Sequence, residues 1–129
     1  MTVALVCTAF LGLLVFGLGL GVSTLRGSTS TNIGHQLDPS DRLHKMVRAH
    51  GNATEYAPML AILMLGIATR GATPWMVWTF VAATVFRYLH AAGMIFSPTL
   101  ARPHPLRFVG ALGTYLGGLV LCVVAFRLM

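Results

Sequence analysis

Residues 3–22 are apolar without interruption, and no charge appears before Arg26. About 20 such residues suffice to cross a bilayer, so the pattern predicts a first helix over about residues 2–26. Residues 27–39, rich in Ser, Thr and Asn, read as a polar loop. A second helix, capped by Ser40 or Asp38, is expected over about residues 40–70. Gly71-Ala72-Thr73 makes a turn, and Pro74 opens a third helix that runs to about residue 97, with Trp75 and Trp78 at its interfacial start. Residues 97–104 connect it to a fourth helix, opened by Pro105 and reaching about residue 128. The expectation is an all-α integral membrane four-helix bundle, one domain over residues 1–129.

The second helix is polar in its first half and apolar in its second. Its apolar part, residues 56–69, spans only about 21 Å at 1.5 Å per residue, short of a hydrocarbon core of roughly 30 Å. The turns carrying Asn52 and Glu55 must therefore enter the membrane. Arg48, Asn52 and Glu55 are spaced i, i+4, i+7 and share one face, as do Arg87, His90 and Met94 at i, i+3, i+7 on the third helix. Glu55 lies 15 residues before Arg70 and Arg87 lies 13 residues after Pro74, so each is about 20 Å from the shared turn. Lipid does not solvate such groups, which turn to a bundle interior or a wet cavity. The matching depths predict a Glu55–Arg87 ion pair, with Asn52 beside His90 and Arg48 beside Met94.

Composition agrees with the membrane reading: of 129 residues, 56% are hydrophobic and 9% charged, against about 25% charged in soluble domains. The net charge of +6 comes from scattered residues with no basic, aromatic-interleaved patch, which argues against nucleic acid. Arg26, Arg42, Lys45, Arg48, Arg102 and Arg107 flank the first and third connections, whereas only Arg70 and Arg127 lie on the other side. The positive-inside rule then places both termini outside the cytoplasm, in the inner membrane if the cell is bacterial. Met1-Thr2 offers no basic n-region, so the first helix is expected to be retained rather than cleaved as a signal peptide. Cys7 and Cys122 and the five histidines lack ligand spacing, so neither a metal site nor a disulfide is expected. Glycines at 12, 17, 19 and 21, and again at 110, 113, 117 and 118, suit close helix packing. Tyr56 and Tyr88 read as interhelical packing with a hydrogen bond.

Lys45, Arg48, Arg87 and Arg107 outnumber Glu55 in the polar cluster, and an anion from outside the chain would balance them. Arg107 is the candidate activating group: it falls in the first turn of the fourth helix, where free N–H groups and the positive dipole end favour anions. With a small zwitterionic thiol as that outside partner, lowering a thiol pKa of about 8.5 by two units takes about 2.7 kcal/mol, within reach of a guanidinium and a helix terminus together. Two blander readings compete, an ion pair that fixes helix register and an Arg107 that anchors the interface. A small multidrug transporter built on an intramembrane Glu is the competing function.

Arg48-Ala49-His50-Gly51-Asn52-Ala53-Thr54-Glu55-Tyr56 followed by Pro58 resembles the RAxxNxxE(Y) signature of the MAPEG family, membrane-associated proteins of eicosanoid and glutathione metabolism. Arg87-Tyr88-Leu89-His90 and Pro105-Leu106-Arg107 fit it too, and the likeness to short bacterial members covers essentially the whole chain. The resemblance implies a homotrimer with glutathione as co-substrate between subunits. It assigns Arg48, Asn52, Glu55, Arg87 and His90 to the glutathione site, Glu55 to the ammonium, Arg107 to the thiolate with Arg102 as the alternative, and Arg26 to a neighbour's site. It further implies a glutathione transferase or peroxidase acting on hydrophobic electrophiles or lipid hydroperoxides, or a non-catalytic lipid-binding member. Met94 and Ala111 stand where some members carry tyrosine, so prostaglandin- or leukotriene-forming specificity is not expected.

Overall fold

The computed structural model describes residues 1–128. It contains four helices, α1 (Thr2–Thr29), α2 (Arg42–Thr69), α3 (Pro74–Phe96) and α4 (Pro105–Arg127), and no strand among the described residues. α1, α3 and α4 are each long and apolar enough to cross a membrane. α2 does not meet that standard by composition, because its first two turns and the segment around Asn52 are polar. It nevertheless runs antiparallel along α1. Gly19 and Gly21 of α1 meet His50 and Met46 at one end, and Ala4, Cys7 and Leu11 join a cluster with Met64, Ile67 and Ala68 at the other.

Two boundaries differ from expectation, each for a local reason. α1 continues one turn past Arg26, and over that turn the hydroxyls of Ser28 and Thr29 donate back to the carbonyl of Leu25, each at 2.9 Å. It stops at Ser30, whose backbone turns left-handed (φ 53°) while its N–H returns to the Arg26 carbonyl. α2 is capped by Asp41 rather than by Ser40 or Asp38: the Asp41 carboxylate accepts from the His44 N–H at 2.7 Å. Asp38 instead closes a turn by accepting from the N–H of Ser40 at 2.8 Å.

In lipid, helices associate through close packing rather than water exclusion, so small residues decide which pairs approach. α3 and α4 do so along Gly93, Gly110, Gly113 and Gly117, which face Arg107, His90, Phe86 and Ala83 respectively. α2 and α3 lie at the centre of the bundle, and the backbones of α1 and α4 do not approach each other. The buried side chains form two clusters. One holds Leu14, Leu18, Ala49, Ala53, Ala91 and Met94; the other includes Leu11, Ala57, Leu60, Met64, Phe80, Ala83 and Leu121. Along α3, Arg87 falls between Ala83 of the second cluster and Ala91 of the first, so the charge sits where the two apolar layers part.

The first and third connections lie together. The N–H of Leu100 donates to the Pro39 carbonyl at 2.9 Å. The Lys45 ammonium donates to the Ser97 carbonyl at 2.9 Å, a cation on the free carbonyls that end α3.

Candidate functional site

Arg87 is 1% exposed and is the largest fully buried side chain. Its Nη2 donates to the Asn52 side-chain oxygen at 2.8 Å and to the Asn52 main-chain carbonyl at 3.2 Å. Its guanidinium carbon lies 5.1 Å from the centre of the Tyr56 ring, a cation–π contact. Tyr56 and Tyr115 in turn bring α2 to α4, with hydroxyls 3.4 Å apart. The Nε of Arg87 is buried with no hydrogen-bond partner. Among the described residues no carboxylate contacts this cation.

The predicted Glu55–Arg87 pair is therefore not formed, although the two residues were placed at the right depth. The reason is rotation about the α2 axis. The buried stripe of α2 runs through Ala49, Ala53, Ala57 and Leu60. At about 100° per residue, Tyr56 and Asn52 stand about 60° and 100° from Ala53, whereas Arg48 and Glu55 stand about 140° and 160° away on the same side. Asn52 and Tyr56 reach the bundle, and Arg48 and Glu55 are exposed. Asn52 does not pair with His90, nor Arg48 with Met94: Met94 is buried in the apolar cluster instead. The face is thus continuous but opens outward from this single chain.

His90, half-buried one turn beyond Arg87 on α3, places Nδ1 2.9 Å from the main-chain oxygen of Arg107. Arg107 is half-buried, and its Nη1 donates to the carbonyls of Leu100 and Arg102, each at 3.1 Å. The Arg102 side chain is exposed. Arg26 is half-buried near the end of α1, and its Nε has no partner. The structure therefore joins Asn52 to Arg87 and His90 to Arg107, while Arg26, Arg48 and Glu55 remain outside those contacts. Tyr88 behaves as the sequence suggested, donating to the Phe10 carbonyl at 2.8 Å.

Tyr56 likewise makes the interhelical hydrogen bond that the sequence suggests, to Tyr115, but two features of the site are not legible in the sequence. Tyr56 is the aromatic floor of the Arg87 guanidinium; its i+4 spacing from Asn52 was the available signal. Tyr115 completes the link to α4, above an apolar groove of about 500 Å³ between α2 and α4 that Met59, Leu63, Leu119 and Cys122 help line. Glu55 lines the same groove.

A polar cluster on α2 and α3, opening beside an apolar groove in a bundle of membrane helices, matches the features that the signature segment suggested. The family model described as the MAPEG family matches residues 4–127. The chain belongs to the MAPEG family. No curated protein and no solved structure matches it. Membership makes this an integral membrane protein of a family concerned with glutathione and eicosanoid metabolism. The same match favours this family over a small multidrug transporter, the competing reading drawn from four short helices and an intramembrane carboxylate. No group of three metal-ligating side chains occurs among the described residues of this MAPEG protein.

Proposed function

We propose that this MAPEG protein is a membrane-bound glutathione transferase. One observation carries the reading: Arg87 is a buried cation whose hydrogen bonds go to neutral groups of Asn52 and whose Nε is unpartnered. An enclosed charge of this kind is costly unless an anion offsets it. Glutathione supplies two carboxylates, an ammonium and a thiol. Its carboxylates suit Arg87 and Arg48, and its ammonium suits Glu55. Because Arg48 and Glu55 lie on an outward face, a second copy of the chain would cover the ligand and add Arg26. A homotrimer meets that need, with the site open to the cytoplasm and both termini on the opposite side.

In the reaction the thiol loses its proton, and the thiolate is stabilised by Arg107 and the N-terminal end of α4. The sulfur attacks an electrophilic carbon of an apolar substrate that arrives from the lipid. A C–S bond forms, and the leaving group departs with its electron pair. With a lipid hydroperoxide the same sulfur attacks the terminal oxygen, releasing the alcohol. A second glutathione then converts the sulfenic acid to the disulfide and water.

The test is to titrate glutathione into the detergent-purified protein while following ultraviolet thiolate absorbance, for the wild type and Arg107→Ala. Stoichiometric thiolate in the wild type that disappears in the variant supports the transferase. Binding without thiolate identifies a non-catalytic member, and no binding removes the glutathione reading altogether. If Arg102→Ala is the variant that loses thiolate, the activating role passes to Arg102.

A further inference from the structure

We propose that the cleft where the ends of α1, α2 and α3 meet, beside the first connection, binds the headgroup and upper chain of an anionic glycerophospholipid. The inference is independent of the transferase reading and uses none of the residues assigned to glutathione. The cleft encloses about 270 Å³. Leu25 of α1, Met46 of α2, and Ile95 and Phe96 of α3 form its walls, and Arg42 and Lys45 at the start of α2 supply its polar side. Its depth follows from α3. Phe96 lies 21 residues after Trp75, about 32 Å along the helix, close to the roughly 30 Å of a hydrocarbon core. With Trp75 at one boundary, Ile95 and Phe96 reach the other, and the Phe96 ring is exposed where lipid would lie. Arg42 and Lys45 share the cleft with that ring, at the level where lipid phosphates begin.

These cations are not matched within the chain. Of its three acidic residues, Asp38 accepts from the Ser40 N–H and Asp41 from the His44 N–H. The third, Glu55, lies 10 residues beyond Lys45, about 15 Å further along α2. The Lys45 ammonium is fixed by its hydrogen bond to the Ser97 carbonyl at 2.9 Å, which leaves two of its three N–H groups for a phosphate. Arg42 is exposed beside it, on a side chain long enough to reach the same group. A held ammonium, an exposed guanidinium and an apolar wall below them complement a phosphodiester on an acyl chain. The same set discriminates among lipids. A choline or ethanolamine group would bring its own cation to a cleft whose nearest carboxylates are turned to main-chain N–H groups, whereas a phosphoglycerol headgroup brings hydroxyls. The positive-inside rule puts this end of the bundle at the cytoplasmic leaflet, whose anionic lipids attract basic side chains.

The experiment titrates the detergent-purified full chain with dioleoyl phosphatidylglycerol or dioleoyl phosphatidylcholine and reads bound lipid by native mass spectrometry. The proteins are wild type, Arg42→Gln, Arg42→Lys and Arg70→Gln. Arg70 caps the other end of α2, so its variant removes the same charge away from the cleft. In the wild type the anionic lipid should bind at least about fivefold more tightly than the zwitterionic one. Arg42→Gln should lower phosphatidylglycerol affinity about fivefold, the effect of one basic residue at a lipid surface, with phosphatidylcholine changed less than about twofold. Arg42→Lys and Arg70→Gln should stay within about twofold of the wild type, and millimolar inorganic phosphate should leave the lipid in place. Equal affinity for the two lipids overturns the proposal, and so do equal losses in Arg42→Gln and Arg70→Gln, which would report net charge alone. Displacement by inorganic phosphate overturns it too, since the cleft would then take an anion without its chain. Should Arg42→Gln fail to fold, the wild-type preference and the phosphate competition decide alone. None of these outcomes depends on glutathione, so the transferase reading stands or falls separately.

Discussion

Arg87 and Arg107 belong to one polar cluster, yet the structure holds them in opposite ways. Arg87 is buried in the single chain, bonded to a neutral amide and stacked on an aromatic ring, with one nitrogen unpartnered. Arg107 is half-buried, fastened at its root by the His90 ring, which bonds its main-chain carbonyl, and at its tip by the carbonyls of Leu100 and Arg102. On the transferase reading, the first arrangement leaves a charge for a ligand to offset and serves binding. The second fixes where a charge stands without neutralising it, as activation of a bound group would require.

The sharpest way to break this comparison is Arg87→Met. Removing the enclosed cation should lower glutathione affinity by about 100-fold, the scale of one or two charge-assisted hydrogen bonds. It should leave the detergent Tm unchanged or higher, since a buried charge without an ionic partner contributes little to stability. A lowered Tm with affinity intact would make Arg87 structural. Next in size is Gly110→Ala, whose methyl group meets the His90 backbone. Overpacking there should cost about 1–3 kcal/mol in unfolding measurements, whereas Gly12→Ala, which meets nothing within 4 Å, should change stability by less than about 0.5 kcal/mol.

Asn52→Leu tests the other side of Arg87. It strips the guanidinium of its side-chain partner and should destabilise the fold by about 1–2 kcal/mol. Glutathione should recover part of that loss, which a ligand-dependent rise in Tm would register. The smallest effect on stability belongs to Glu55→Gln, below about 0.5 kcal/mol for an exposed residue. Glutathione affinity should nonetheless fall about tenfold if Glu55 takes the ammonium. An unchanged affinity would remove Glu55 from the site and leave Arg87 and Asn52 as its core.

Much of this architecture could be read from the order of residues. Apolar runs located α1, α3 and α4, and Pro74 and Pro105 marked two helix starts. Depth also came out correctly, because it follows from rise per residue along a straight helix. The ion pair failed on a different coordinate. Glu55 and Tyr56 are adjacent in sequence, but their side chains leave the helix about 100° apart, and only one can face Arg87.

The sequence by itself determined four helices, their boundaries to within about a turn and the family signature. Only the tertiary structure decided which way each helix is rotated and how closely α3 meets α4. Rotation depends on which side chains fill the contact with a neighbour, here the Ala49, Ala53 and Ala57 stripe of α2 and the glycines of α3 and α4. A one-dimensional pattern records that small residues are present; it does not record what they face. For that reason the pairing of Arg87 with Asn52, and of His90 with the main chain of Arg107, emerged only when the helices were packed.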